Sequence, residues 1–282
     1  VPAFRLFQKR ADRATLLRQQ AEDVFAQLRT VQASASLAGT PLRGQHSQRQ
    51  GGPGHDFWQY RDFQSGDHSR TIDWKQSAKT DRLLIRQKEK ETQKRTTIWL
   101  QNDASMNFSG SAHRQTKYEC GAVVALVSAM LGAERHDPVS LSGVGAVTMD
   151  DLTHILAEGD FQCEVDDLSG HEVFLIGDFL DFDHTFDGIP PHKRVHLIQI
   201  LDSVEIDLPF SGRTLFEHPS GADQEQILSV TDIRSAYQAK LQAHLDDLKH
   251  LCKSRNWSYT FIRSGEDLFE PLLDVVLHSE AV

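Results

Sequence analysis

Two uninterrupted apolar runs, EVFLIGDF at 172–179 and RVHLIQIL at 194–201, restrict most tightly what this chain can fold into. A strand that is apolar on both sides must be covered on both faces, as strands are in a parallel sheet packed between helices. The segment KYECGAVVALVSAMLGA, which begins at Lys117, is apolar nearly all round and predicts a buried helix with Gly132 as its stop. Around these runs the chain alternates. Strands are expected at Thr96–Gln101, 139–144 and 257–263, and helices at Met149–Ala157 and Leu268–His278. A long amphipathic helix carries Ile233, Tyr237, Leu241, Leu245, Leu248 and Cys252 on one stripe. Such alternation predicts an α/β fold, a doubly wound and mostly parallel sheet.

The front of the chain reads differently. Ala14, Leu17, Ala21, Val24, Phe25 and Leu28 recur at the spacing of an amphipathic helix over 11–29. The Ser-, Gly-, Gln- and Pro-rich stretch that follows predicts an extended or loop segment, and a strand is expected at Leu83–Gln87. Three segments result: an N-terminal helix over 1–35, a polar extension over 36–95, and an α/β domain over 96–282. Charge divides along the same line. Residues 1–100 carry 18 Lys and Arg against 10 Asp and Glu, and residues 101–282 carry 12 against 30, which sums to the net charge of −10. Nucleic-acid binding by the basic front half is one reading of that asymmetry, although the basic residues are interleaved with acids and do not form a run. No apolar run reaches the length of a membrane helix, so no direct membrane insertion is expected. Three widely spaced cysteines, Cys120, Cys163 and Cys252, predict reduced buried thiols in a cytoplasmic protein.

Chemistry in an open parallel sheet belongs beyond the carboxyl ends of its strands. Two such ends are polar here: Gln101, Asn102, Asp103, Ser105 and Asn107 after the first strand, and Asp178 after FLIG. Carboxylates and hydroxyls converging there could hold Mg²⁺ or Mn²⁺ through oxygen ligands; equally, Asp103 and Ser105 could cap a turn and Asp178 begin a loop. No HExxH, Walker A or G-x-S-x-G pattern is present, and the fourteen histidines read as scattered and exposed, with His46, His55 and His68 near the polar segment. That segment, YRDFQSGDHSRTIDWKQSAKT at 60–80, sets Arg61, Arg70 and Lys79 among Asp62, Asp67 and Asp73, the composition of a paired polar network. Phe63 and Trp74 are expected to anchor it against the apolar body, with Gly66 allowing a turn before Asp67.

The residues Arg61, Phe63, Gly66, Asp67, Arg70, Ile72, Asp73, Trp74, Ser77, Ala78 and Lys79 fit the pattern R-x-Y/F-x-x-G-D-x-x-R-x-I-D-W-x-x-S-A-K/R. In this the chain resembles the bacterial domain-of-unknown-function 58 family. The likeness continues through GDF and through QILDSVEIDLPFSGRTLFE, and spans about residues 20–265. It implies a von Willebrand factor A-like, Rossmann-like domain with the N-terminal helix and polar extension packed on it. It also implies an apex that often carries a metal-ion-dependent adhesion site, whose first motif is D-x-S-x-S. This sequence departs from that motif. One alignment places Gln101, Asp103 and Ser105 in it and loses the leading aspartate; the other places Asp103, Ser105 and Asn107 and lengthens the strand by two residues. Asp178 supplies the distal carboxylate under either.

What the resemblance implies for function is a non-enzymatic protein–protein interaction module that needs no cofactor. Such a module would be an adaptor of a MoxR-like AAA+ ATPase in chaperone-like assembly or maturation of a client protein. The polar segment, with Arg61, Gly66, Asp67, Arg70, Asp73, Trp74 and Lys79, would either hold the extension or form a partner surface. The alternative is a metal-dependent hydrolase using Asp103 and Asp178. A flat apex with Gln101 turned inward favours the adaptor, and a deep acid-lined cleft favours the enzyme.

Overall fold

A computed structural model describes residues 2–37, 57–62, 72–80, 82–88, 95–111, 114–165, 168, 170–181, 186–190, 193–217, 224–227 and 229–280. The chain divides into two compact units, one formed by residues 1–43 with 94–281 and the other by residues 44–93.

The larger unit is mixed α/β. Its sheet has six strands: β3 (Thr96–Leu100), β4 (Val139–Leu141), β5 (Gly145–Ala146), β6 (Glu172–Gly177), β7 (Arg194–Asp202) and β10 (Ser258–Ser264). They lie in the order β10-β7-β6-β3-β4-β5. Every pairing is parallel except that of β4 with the short β5. The continuous apolar runs earn this position by filling two cores at once. Ile98, Leu100, Phe174, Ile176, Ile198 and Ile200 point into one cluster, while Trp99, Val173, Leu175, Val195 and Leu197 point into the other. That is the period-2 alternation of a strand covered on both sides.

Helices cover both faces. On one side α3 (Lys117–Glu134) and α7 (Phe269–Glu280) close the first cluster, and on the other Leu248 and Cys252 of α6 (Val230–Ser254) close the second. Further described elements of this unit are α4 (Met149–Glu158), α5 (Ser203–Asp207) and the hairpin of β8 (Thr214–Glu217) with β9 (Gln224–Ile227). The N-terminal helix, α1 (Pro2–Leu37), is longer at both ends than the apolar spacing predicts. It runs through residues 30–37, where the composition suggested a loop, because Ala, Ser, Gln and Leu there carry no helix breaker. Its Ala14, Leu17, Ala21 and Leu28 are buried in the same cluster as α3 and α4, each leucine worth about 1.5–3 kcal/mol on the transfer scale. Gln115 also donates to Gln20 across 2.5 Å.

Two sequence expectations are corrected here. The strand expected over 139–144 ends at Leu141 and turns through Gly143, whose φ is 78°. Gly132 does not stop α3, which continues to Glu134 and ends at Arg135 and His136. The glycine serves close approach, since a Cβ on it would lie 2.6 Å from Thr96 Oγ1 and 3.0 Å from Thr96 Cβ. The three cysteines are free, and burial pushes the Cys120, Cys163 and Cys252 thiols up to about 12. No described helix is long and apolar enough to cross a membrane.

The smaller unit pairs β1 (Phe57–Asp62) antiparallel with β2 (Leu84–Lys88), and α2 (Trp74–Thr80) lies between them in sequence. Ile72 bridges to Ile85, and both are buried. Asp73 starts the helix, its Oδ1 accepting from the Gln76 amide at 3.1 Å. Ser77, buried under the turn, donates to the Asp73 carbonyl at 2.8 Å and accepts from the Leu84 amide at 2.8 Å.

At the amino end of the sheet the first residue of β6, Glu172, is an ionic hub. His196 Nε2 lies 3.2 Å from its Oε1, Arg194 lies 3.8 Å away, and Arg135 pairs with its other oxygen. Contrary to the expectation of exposed histidines, His196 is buried, stacked on Phe174 with centroids 4.8 Å apart. Burial acts to raise the Glu172 pKa, but the His196 hydrogen bond and the nearby Arg135, His196 and Arg194 charges outweigh it and hold the carboxyl below its ordinary range. A depressed folded value stabilises above the unfolded pKa and is lost as pH falls through the folded one. Chemical denaturation across acidic pH should therefore show stability falling below about pH 4.3. In Glu172→Gln that acid limb should be shallower, from a lower plateau at neutral pH.

Candidate functional site

The chain order of the sheet reverses between β3 and β6. From β3 the chain passes through α3 to β4 on one side, and from β6 it passes to β7 on the other. The carboxyl ends of these two strands therefore diverge and leave a crevice, the position where open α/β sheets bind ligands. This apex is where the polar residues singled out from the sequence meet.

β3 ends at Leu100, and a 3-10 turn, Ser105–Asn107, follows. Gln101 turns inward: its Oε1 accepts from the amides of Asp178 at 3.0 Å and Phe179 at 3.2 Å. Its Nε2 donates to Asp103 Oδ2 at 2.7 Å. Gly177 makes room for this, because a Cβ there would stand 2.3 Å from Gln101 Oε1 and 2.8 Å from Gln101 Cβ. Ser105 Oγ sits between two carboxylates, 2.6 Å from Asp103 Oδ1 and 2.6 Å from Asp178 Oδ2. Asp103 also accepts from the backbone amides of Ser105 at 3.0 Å and Met106 at 3.3 Å. Partial burial acts to raise its pKa, but these hydrogen bonds, those from Ser105 and Gln101 first, hold it below the usual carboxylate range. Asn107 stays outside the group, exposed, its amide reaching only the Asp103 carbonyl at 3.4 Å. Asn102 turns to α4, donating to the carbonyls of Gly159 at 3.0 Å and Phe161 at 2.8 Å.

The centre of the apex is a residue the sequence reading passed over. Lys117, first residue of α3, has a fully buried side chain, with Nζ 2.8 Å from Asp178 Oδ2 and 2.6 Å from Glu205 Oε1. Phe108 presents its ring to the same ammonium, 5.9 Å from the centroid. Glu205 is fixed in turn by the short α5, where it and Asp202 form a reciprocal capping box. Burial, reinforced by the charge of Asp178, raises the Glu205 pKa even though Lys117 and the Asp202 amide favour its ionised form. Asp202, fully buried, also takes the Ser264 hydroxyl at 2.9 Å.

Both residues left signals in the sequence. Thr116 and Glu119 form a capping box around Lys117, and a lysine in the first turn opposes the helix dipole, so something else must hold it there. Asp202 and Glu205 are the D-x-x-E of the resemblance segment. Their joint target becomes visible only when three elements meet.

The site does not fit a divalent cation as it stands. Asp178 and Glu205, the carboxylates such an ion would use, are taken by an ammonium. Among the described residues no three His, Cys, Asp or Glu side chains are grouped to hold a metal.

Of the polar segment, Gly66, Asp67 and Arg70, like Phe63, lie outside the described residues, as do His46, His55 and His68. Arg61 falls on β1 and Asp73 caps α2. Lys79 is exposed on α2. Trp74 is not the anchor it was expected to be. It is 63% exposed, because the residues that α2 buries are Ser77 and, just before it, Ile72.

The fold and this apex thus define an α/β protein whose sheet carries a polar centre at its switch point. Residues 59–156, just over a third of the chain, match the family described as "Protein of unknown function DUF58", which supports placing the chain with that family. The match includes β3, the apex turn, Lys117 and α4, and stops before Asp178 and Glu205. No curated protein and no solved structure matches the chain.

Two substitutions test this construction by urea denaturation. Gly177→Ala, which forces a methyl onto Gln101, should cost about 1–3 kcal/mol. Lys117→Met, which keeps the volume but leaves two carboxylates without their counter-ion, should cost about 3–5 kcal/mol.

Proposed function

We propose that the chain is a non-enzymatic protein–protein interaction module with a von Willebrand A-like domain. In this reading it is an adaptor of a MoxR-like AAA+ ATPase in the chaperone-like assembly or maturation of a client protein. The observation that carries the reading is the inward orientation of the apex. Gln101, Ser105 and Asp178 spend their polar atoms on one another and on Lys117, and Asp103 alone of the group is exposed. Two surface hollows of the larger unit, one lined by α5 and α6 and the other by β10 and α7, share no residue with the apex. A polar cap of this kind suits contact with a protein surface better than enclosure of a small substrate.

The exposed Trp74 gives further support. In a segment where Ile72, Asp73 and Ser77 hold the local structure, Trp74 stands out beside the exposed Lys75 and Lys79. Exposed tryptophans are over-represented among residues that dominate protein interfaces.

The test is sedimentation velocity of the purified chain mixed with a MoxR-like ATPase of the same genome, with ATP, ADP or no nucleotide. A complex is expected in at least one nucleotide state. Trp74→Ala or Asp103→Ala should weaken it by about tenfold or more, and Trp74→Ala should leave the melting temperature unchanged. Absence of a complex in all three states would sink the adaptor reading. Turnover of a phosphoester that disappears in Asp103→Ala would put the hydrolase in its place.

A further inference from the structure

We infer that the apex is a cation site filled by the chain's own lysine, the Lys117 ammonium standing where a divalent ion would otherwise bridge the carboxylates. The oxygen atoms gathered there are the hard donors that Mg²⁺, Mn²⁺ or Ca²⁺ take: Asp178 and Glu205, with the Ser105 hydroxyl on the same Asp178 oxygen. At their focus lies a nitrogen with no solvent exposure, 2.8 Å and 2.6 Å from the two carboxylates. An ammonium has three donors in a tetrahedron and one positive charge, so it satisfies two carboxylates without any water in its coordination sphere.

Position argues the same way. Lys117 enters from the first turn of a helix, where the macrodipole disfavours a cation. A lysine whose only task was to neutralise a surface would lie at the other end of α3 or in solvent. Here its aliphatic stem crosses the core, and its charge arrives between β6, which leads into Asp178, and α5, which carries Glu205. The result is a cation that cannot dissociate. Whatever docks on the apex therefore does so without metal, and chelators or changes in free divalent ion leave that contact alone. The inference rests on the geometry around Lys117 and not on the adaptor reading, so its failure would leave that reading standing.

Emptying the site tests it. Lys117→Ser removes both the charge and the stem, leaving Asp178 and Glu205 facing a hole. Titration with Mn²⁺, followed by calorimetry and by the electron paramagnetic resonance of the free ion, should show binding to Lys117→Ser at least about tenfold tighter than to the native chain. Millimolar Mn²⁺ or methylammonium chloride should raise the melting temperature of Lys117→Ser and not that of the native chain. Lys117→Met, whose side chain refills the space without charge, should show neither binding nor rescue. Native protein that binds Mn²⁺ as tightly as Lys117→Ser would overturn the inference, as would rescue of Lys117→Met. So would a destabilised Lys117→Ser that neither cation restores, which would make Lys117 an ordinary ion pair. If Lys117→Ser does not fold alone, its refolding yield with Mn²⁺ or methylammonium decides. Recovery supports the inference, and failure with both overturns it.

Discussion

The contact between the Lys117 ammonium and the carboxylates of Asp178 and Glu205 ties together parts of the chain that nothing else at the apex connects. It brings the start of α3, the exit of β6 and the turn after β7 to one point. Net stabilisation is not the main reason such an arrangement exists, since removing three charges from water costs several kcal/mol each and the pairing returns roughly that amount. What it supplies is uniqueness of geometry. With Lys117 held, Asp178 has one orientation, which fixes Ser105. Ser105 and Gln101 then place Asp103, the one exposed member of the group. A buried ion pair specifies because every alternative leaves a charge alone.

The sheet separates its polar business from its apolar bulk by length. β6 opens on Glu172, hub of the His196, Arg135 and Arg194 group, and leads straight into Asp178, hub of the apex. Between them lie Val173, Phe174, Leu175, Ile176 and Gly177, buried on both faces. Charges can survive in such a sheet only at its two ends, where loops supply partners, and β6 as the central strand touches both groups. The two ends differ in kind. At the amino end a carboxylate is surrounded by cations and a histidine, whereas at the apex a single cation is surrounded by carboxylates and hydroxyls.

How much of this was legible follows from what each element depends on. The runs 172–179 and 194–201 announced buried parallel strands because two-sided burial leaves no alternation to misread. α3 was legible for the same reason, although Gly132 looked like a stop. A glycine admitting a neighbouring strand and a glycine ending a helix look alike until Thr96 is seen against it. α1 was read too short, since its outer turns rest on composition without an apolar stripe. At the apex, Gln101, Asp103, Ser105 and Asp178 could be named from their place after strands. Lys117 and Glu205 could not be joined to them, because a lone lysine and a lone glutamate carry no pattern. Their meeting depends on strand order, which one sequence does not spell out. Trp74 was misplaced because an aromatic residue in a charged segment suggests an anchor, while the side chains that α2 buries belong to Ile72 and Ser77.

Lys117 is separated in sequence from Asp178 by 61 residues and from Glu205 by 88. Contacts of such long separation require that the intervening loops be closed before they form. The ammonium can reach both carboxylates only after β6 has docked beside β3 and β7 beside β6. Until then Asp178 and Glu205 are two unconnected acids on an open chain, and Asp103 lacks the neighbours that orient it. The apex is therefore a seal that closes last, and a molecule that recognises it distinguishes the finished protein from every unfinished intermediate.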